Sequence, residues 1–394
     1  MKSAVALTKE LDDAKKAAGQ LAEAIRGRLT FERHAVGLLF CDSDMDGATV
    51  TGELGEILGC EVAGMTALAV FGPEGRHDAA AVLTVLTAQD CTFIATMSSS
   101  LADDGRKDAI ADTCRRLVRP DDGKAPGLAL TFCPFAVRTP GDVYPAVFAK
   151  HLPGVPMIGG VASDGYDLAN TRTFLSGRES ADAMVAVGLH GEVHPSFALR
   201  HVTSHFAERL RRVTESSGNV VRRIGDQTVV QYLESVGLKT DVTDPLLAFA
   251  AYPLMLIQDT GVEETPVMRH IAAIDHGTGA VTFVGDVPEG VLANVCMVTR
   301  QDLEASCRES SASLLAEPGA APGDASTVLC FSCFGRATLL GQHPNAEGDI
   351  LARMLPEGMA LSGAYCLGEI SPTGHGRDGI RNRFHNCSIA FCLL

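Results

Sequence analysis

The chain has 394 residues, of which 46% are apolar and 21% charged, with no tryptophan and a net charge of −15. That length supports two or three hydrophobic cores, and the charge argues against a nucleic-acid backbone or an anionic lipid surface as the main partner. No run of 18 or more apolar residues occurs, so no membrane-spanning helix is expected. An apolar signal-peptide core is also lacking, and twelve cysteines scattered through apolar strands read as small hydrophobes in a reducing cytoplasm.

In chain order, Leu11, Ala14, Ala18, Leu21, Ala22 and Ile25 recur at helical spacing, and the N-terminus through residue 33 reads as one leading amphipathic helix. A phrase of apolar strand, short helix, glycine-bearing strand, turn and closing strand then appears for the first time. It runs from Ala35–Phe40 through Thr51–Leu58 to Gly59–Gly64 and closes with Ala79–Leu86. A strand at Cys91–Met97, a charged helix at Asp103–Val118 and a loop at Arg119–Pro126 follow. The second copy comprises Gly127–Phe132, Val143–His151, Val155–Gly160 and Met184–Leu189, with a further strand at Phe197–Thr203. Arg209-Leu210-Arg211-Arg212 reads as a solvated helix face.

The polar stretch 214–226 marks a lobe boundary, after which Gln227–Leu238 reads as a helix ending at Gly237. His270–Asp275 and Ala280–Val284, joined by His276-Gly277-Thr278-Gly279, predict a hairpin. Asp302–Leu315 predicts an amphipathic helix and Glu317–Asp324 a flexible connector. The third copy, Thr327–Phe331, Gly348–Leu355, Leu361–Gly368 and Ser388–Leu394, completes the chain. The expected fold is mixed α/β, in two lobes built from repeated strand–helix–strand–strand units with mixed sheets. The divisions are a leading helix at 1–33 and domains at 34–213 and 220–394.

The third copy differs from the others in the side chains its turns carry. Arg336, Glu369, His385 and Asn386 fall at strand ends or turns and are expected to converge at one sheet edge. A guanidinium can fork onto a carboxylate, a glutamate can accept an amine, and an asparagine can do both. The same residues also fit an internal Arg336–Glu369 ion pair with His385-Asn386 capping a turn. Cys330-x-x-Cys333 lacks a second ligand pair for zinc and reads as packing, with Cys333 the more exposed thiol. His190, His194, His201 and His205 read as surface or loop histidines. Gly159-Gly160 reads as part of a turn, and a Ser163/Asp164 triad lacks its nucleophile elbow.

Three stretches, Cys330-Phe331-Ser332-Cys333-Phe334-Gly335-Arg336, Leu361–Ile370 and Phe384-His385-Asn386-Cys387-Ser388, resemble the C-terminal FIST domain. Gly59–Gly64 and Pro156–Gly160 look like its N-terminal counterpart, so the resemblance covers nearly everything from residue 34. Met65 and Cys387-Ser388 depart from the family's usual residues. The resemblance implies a sensory module of bacterial signal transduction for small ligands such as amino acids. It places the ligand site at Arg336, Gly368, Glu369, His385, Asn386 and Cys333, and the partner is a histidine kinase or another signalling protein. Two alternatives stay open. One is a haem-based nitric-oxide sensor with His385 as first candidate for the iron; the other is an enzyme using Cys333 or His385 with Glu369.

Overall fold

The computed structural model describes the chain except residues 103, 137–138, 203–204, 207–209, 258–265, 318–325 and 374–379, with backbone alone at 205–206. The connector expected at 317–324 thus lies, beyond Glu317, outside the described residues, as does Arg209.

The repeat is longer than its sequence signature. Each copy is an edge strand, a helix, a parallel strand, a second helix, a glycine-bearing strand, a hairpin and a closing strand. The first copy starts with Lys2–Thr8, where a helix was expected; the helix is Ala14–Arg26. Lys2–Thr8 pairs antiparallel with the closing strand Ala81–Ala88, which pairs in turn with His34–Cys41. His34–Cys41 runs parallel to Glu61–Thr66. The second copy repeats this with Thr92–Met97, Val185–His190, Leu128–Cys133 and Met157–Val161. The third uses Ser196–His201, Ser388–Leu393, Thr327–Cys333 and Ala360–Cys366. The apolar C-terminal strand is therefore paired on both sides, as expected.

The hairpins do not stay with their own units. Val70–Gly72 and Gly75–His77 of the first unit add to the third unit's sheet through Phe71 opposite Gly363. The second unit's hairpin, Thr173–Leu175 and Arg178–Ser180, adds to the first sheet with Phe174 opposite Gly64. That of the third unit, Glu369–Thr373 and Arg381–His385, adds to the second sheet with Ile370 opposite Gly159. Three six-stranded mixed sheets result, each completed by the next unit in a cycle.

The three glycines opposite those apolar residues are required by their surroundings. A Cβ on Gly64, Gly159 or Gly363 would lie 1.8, 1.9 or 1.8 Å from the carbonyl oxygen of Leu39, Thr131 or Cys330 on the parallel neighbour. Gly159 and Gly160 thus belong to a strand rather than a turn.

The inner faces of the three sheets meet in one core. Phe40 packs edge-on against Phe132 and Phe331 at 5.4 and 5.6 Å between ring centroids. These are equivalent positions of the three parallel strands. Each outer face is covered by its own pair of helices: Ala14–Arg26 with Gly47–Leu58, Arg106–Arg116 with Val143–His151, and Arg300–Leu315 with Ala346–Met354. Ala17, Ala18, Leu21, Ala22 and Ile25 form the buried stripe that fixes the first helix, and Asp13 caps it by accepting from the Lys16 backbone N–H.

Between the edge strand and first helix of the third unit, residues 205–297 form a nine-stranded antiparallel sheet. The predicted hairpin is there, as Ile271–Asp275 and Ala280–Phe283, its turn held by Asp275 accepting from Gly277 and Thr278. The 214–226 stretch is crossed by Arg211–Ser217 pairing with Val220–Ile224. Val229–Ser235 is the helix expected after it, closed by a capping box between Thr228 and Gln231. Among the described residues no helix is long and apolar enough to cross a membrane.

Candidate functional site

The hairpin exchange divides five of the six expected site residues between two sheets. Gly368, Glu369, His385 and Asn386 lie in or beside the hairpin that extends the second sheet, whereas Cys333 ends the central strand of the third. Arg336 is at neither a strand end nor a turn: it lies in the helix Phe334–Leu340, whose N-cap is Cys333.

Arg336 is fully buried, and its partner is Glu347 rather than Glu369. Its Nε donates to Glu347 at 2.8 Å, and its terminal nitrogens donate to the Ser306 hydroxyl and the Leu303 carbonyl, each at 2.9 Å. Glu347 also accepts from the hydroxyls of Ser332 and Tyr365, both at 2.8 Å. Burial opposes the charge on Arg336, but the adjacent carboxylate more than restores it and raises its pKa. All three guanidinium nitrogens and the carboxylate are engaged within the protein, so the pair reads as a structural lock between three helices and the third sheet.

Among the described residues Glu369 has no cationic partner in hydrogen-bond contact. Its side chain accepts from Ser388 at 2.5 Å and, more weakly, from the Cys366 thiol at 3.6 Å, tying the second sheet to the third. Burial pushes its pKa up to about 8, against smaller lowering effects from Ser388 and Arg336, so it is mostly protonated at neutral pH. An acid whose folded pKa lies above its unfolded value adds stability below about pH 4.5, and that contribution is lost as pH rises toward 8. Glu369→Gln keeps the neutral form at every pH. The variant is expected to lose less stability than the parent between pH 6 and 9 in urea titrations; equal losses would refute the assignment.

Asn386 is occupied on both ends: its amide donates to the Leu367 carbonyl at 3.3 Å and its oxygen accepts from the His270 backbone N–H at 3.5 Å. Gly368 leaves room for Phe384 and Asn386, either of which a Cβ would strike. Cys333 is buried, not exposed, and its thiol lies 3.9 Å from His270 Nδ1. Burial raises the thiol pKa well above its usual value and lowers His270 to about 4, so both groups are neutral. That is the opposite of an activated thiolate–imidazolium pair, and the thiol enzyme loses its support.

His385 is different. It is fully buried, and among the described residues neither ring nitrogen meets a partner at hydrogen-bond geometry; its ring lies 5.1 Å from that of His201, whose nitrogens are in the same position. His201 ends the edge strand of the third sheet and His385 the edge strand of the second, so the two rings meet across the seam between sheets. Burial lowers His201 to about 3, assisted by Arg269, Arg336 and Arg383 and opposed by the nearby backbone of Asn386; burial, the His201 ring, Arg269 and Arg383 lower His385 well below the usual histidine range, opposed by the backbone of Ser371. His201 lies at the end of a strand rather than in a loop and is partly exposed, and a signal for the strand was present: Phe197, Leu199 and His201 alternate on one strand face, and the first two pack on the central core.

His201 also lines an open cleft of about 1100 Å³, walled by Ser196–Val202, Pro156, Pro372, Thr373 and Ile380. Elsewhere, Asp42-x-Asp44-x-Asp46-Gly47 followed by Glu53 has the spacing of an EF-hand calcium loop. Its carboxylates are engaged separately. Asp46 caps the helix Gly47–Leu58 through the Thr49 backbone N–H at 2.9 Å, and Glu53 pairs with Lys15 at 2.8 Å. Among the described residues no group of three or more His, Cys, Asp or Glu is placed to hold a metal.

An uncharacterised protein of Mycobacterium bovis is 24% identical over 254 residues, 62% of this chain and 61% of that protein. An uncharacterised Mycobacterium tuberculosis protein is 25% identical over 253 residues, 62% of each. The match thus spans about three fifths of these relatives' length. A solved cyanuric acid hydrolase from A. caulinodans aligns with 99% of this chain and 98% of its own, at a TM-score of 0.36 and 10% identity. That likeness is too distant to inform function. The FIST N domain model matches residues 35–227 and the FIST C domain model residues 228–372. Covered over most of its length by these two models, the chain belongs to the FIST family, whose domains are sensory modules of signal transduction.

Proposed function

We propose that this protein is a cytoplasmic sensor that binds a small metabolite, an amino acid or a close relative, and acts on a separate partner such as a histidine kinase. The observation that supports this most is the His201–His385 pair. Buried ring nitrogens without partners are uncommon in finished cores, and these stand beside a cleft large enough for a metabolite. Glu369 then ties the second sheet to the third through Ser388 and Cys366, and Arg336, Gly368, Cys333 and Asn386 are spent on contacts within the protein rather than on the ligand. Isothermal titration against the amino acids and their keto and hydroxy relatives tests the proposal. At least one should bind, and His201→Ala should weaken it about tenfold or more; binding by none would sink the reading.

A haem-sensing reading has one observation in its favour, since a neutral imidazole with a free nitrogen is what an axial haem ligand requires. His201, which lines the cleft, is better placed for this than the fully buried His385. The protein would then show a Soret band that shifts with nitric oxide. A preparation still colourless after haem reconstitution would end that reading.

A further inference from the structure

Folded proteins manage the edges of their sheets, and the repeat gives this one three equivalent edge strands: Lys2–Thr8, Thr92–Met97 and Ser196–His201, each paired on one side only. The first is buried along most of its length. The cleft beside the second, about 590 Å³, is lined by Ile94 alone of that strand. Ser196–His201 differs, because all six of its residues line the open cleft of about 1100 Å³.

The ladder decides which backbone groups face that cleft. Thr327 and Leu394 exchange both N–H···O bonds, so by antiparallel alternation Cys392, Ala390 and Ser388 also bond toward Thr327–Cys333. Leu393, Phe391 and Ile389 then bond toward the edge strand, opposite Ser196, Ala198 and Arg200. The N–H and C=O groups of Phe197, Leu199 and His201 point the other way. Among the described residues only the Leu199 carbonyl finds a partner there, accepting from Arg200 Nη1 at 3.1 Å. The faces of the strand differ too. Phe197 and Leu199 pack on the central core, whereas Ala198 lies under the helix Arg300–Leu315. Arg200 reaches that helix by donating to the Ser313 hydroxyl at 2.9 Å. Both of its partners are neutral, and among the described residues no carboxylate lies within ion-pair distance of it.

We propose that this edge docks an extended segment of a partner protein, which adds a strand to the third sheet. Main-chain bonds to Phe197 and Leu199 hold the segment. Its alternate residues are apolar on the core side, and an acidic residue on the other side meets Arg200. The end of the helix Arg300–Leu315 and the hairpin residues Pro372 and Thr373 also line the cleft, which favours one extended chain over the edge of a second folded copy. The inference rests on the sensory reading for its partner; the added strand lies along Ser196–Arg200 and leaves the His201 end of the cleft to the metabolite.

The probe is the capped peptide Val-Thr-Val-Asp-Val-Thr-Val, titrated into the full chain and followed by amide hydrogen exchange. In the free chain the Phe197 and Leu199 amides are expected to exchange about tenfold faster or more than those of Ala198 and Arg200, and the peptide to remove that difference. Methylating every second peptide nitrogen should abolish binding in one phase and spare it in the other, since only one edge of the peptide meets the protein. Arg200→Glu should weaken the peptide about tenfold or more, and Lys in place of its Asp should restore binding. Phe197 and Leu199 amides as slow as that of Ala198 in the free chain would show the edge covered already, by this chain if sedimentation gives a monomer and by a second copy if it gives a dimer; either overturns the proposal. A peptide that leaves those amides fast, or binds alike in both methylation phases, overturns it as well. That failure beside a metabolite bound in calorimetry leaves the sensory reading standing, whereas docking without any bound metabolite removes that reading alone.

Discussion

Glu347→Ala is expected to lower the stability of the protein by about 3–5 kcal/mol, the range for breaking a buried ion pair by removing one partner. The loss is not the strength of one contact. It leaves the Arg336 guanidinium charged in a fully buried site and unpairs the hydroxyls of Ser332 and Tyr365 as well. Because the penalty comes from an orphaned charge, Arg336→Met combined with Glu347→Leu should recover much of it, apolar replacements of buried pairs being often neutral or stabilising. A double-mutant cycle by urea denaturation reads the coupling directly. A single variant that loses less than about 1 kcal/mol would show that the pair behaves like a surface salt bridge.

Alanine at Gly64, Gly159 or Gly363 is expected to be comparably severe, at least about 3 kcal/mol each, at the top of the range for overpacking. The obstacle in each case is a backbone carbonyl of a paired strand, less than 2 Å from the new carbon, and it cannot turn aside as a side chain can. Equivalence under the repeat makes the prediction sharper, because three sites far apart in sequence should give similar losses. Gly19 supplies the control. It sits within the helix Ala14–Arg26 with nothing within 4 Å of its added carbon. Gly19→Ala should therefore stabilise by about 0.5–1 kcal/mol. If the three strand variants melt like wild type, the close approach of the parallel strands is misplaced.

The triple repeat was legible because its signal is local: apolar runs of strand length, a glycine at one fixed place, helices between. The charged helix, the hairpin around His276–Gly279 and the capped helix after Thr228 were legible for the same reason. What was not legible is pairing at a distance. Nothing in Val70–His77 says that its partner is residue 363 rather than residue 64, because any apolar hairpin satisfies any open sheet edge equally well. Lys2–Thr8 escaped for a related reason, being a short strand whose neighbour arrives some 80 residues later.

The site was half visible. Its neighbourhood followed from the asymmetry of the third copy, and His385 stands in it with unpaired nitrogens. The choice of Glu369 as the ion partner of Arg336 missed Glu347, which sequence separation cannot distinguish. A buried guanidinium requires an acid within reach of its own helix, and the facing helix Ala346–Met354 begins with one. His201 reads as a surface or loop histidine when taken alone; its spacing of two from Leu199, which sets it on one strand face, is the informative feature.

The cyclic exchange of hairpins also constrains how the molecule can be made. As the chain leaves the ribosome, the first sheet can close once residue 180 has emerged, but its own hairpin at 70–77 must then wait for strand Ala360–Cys366. The second sheet stays short of two strands until residue 385. Long-range contacts of this kind slow folding and leave unpaired edges exposed meanwhile. Neither family-model segment, 35–227 or 228–372, contains a complete set of partners for any of the three sheets. Expressed apart, residues 1–227 and 228–394 should each present open strand edges and recover native structure when they meet each other.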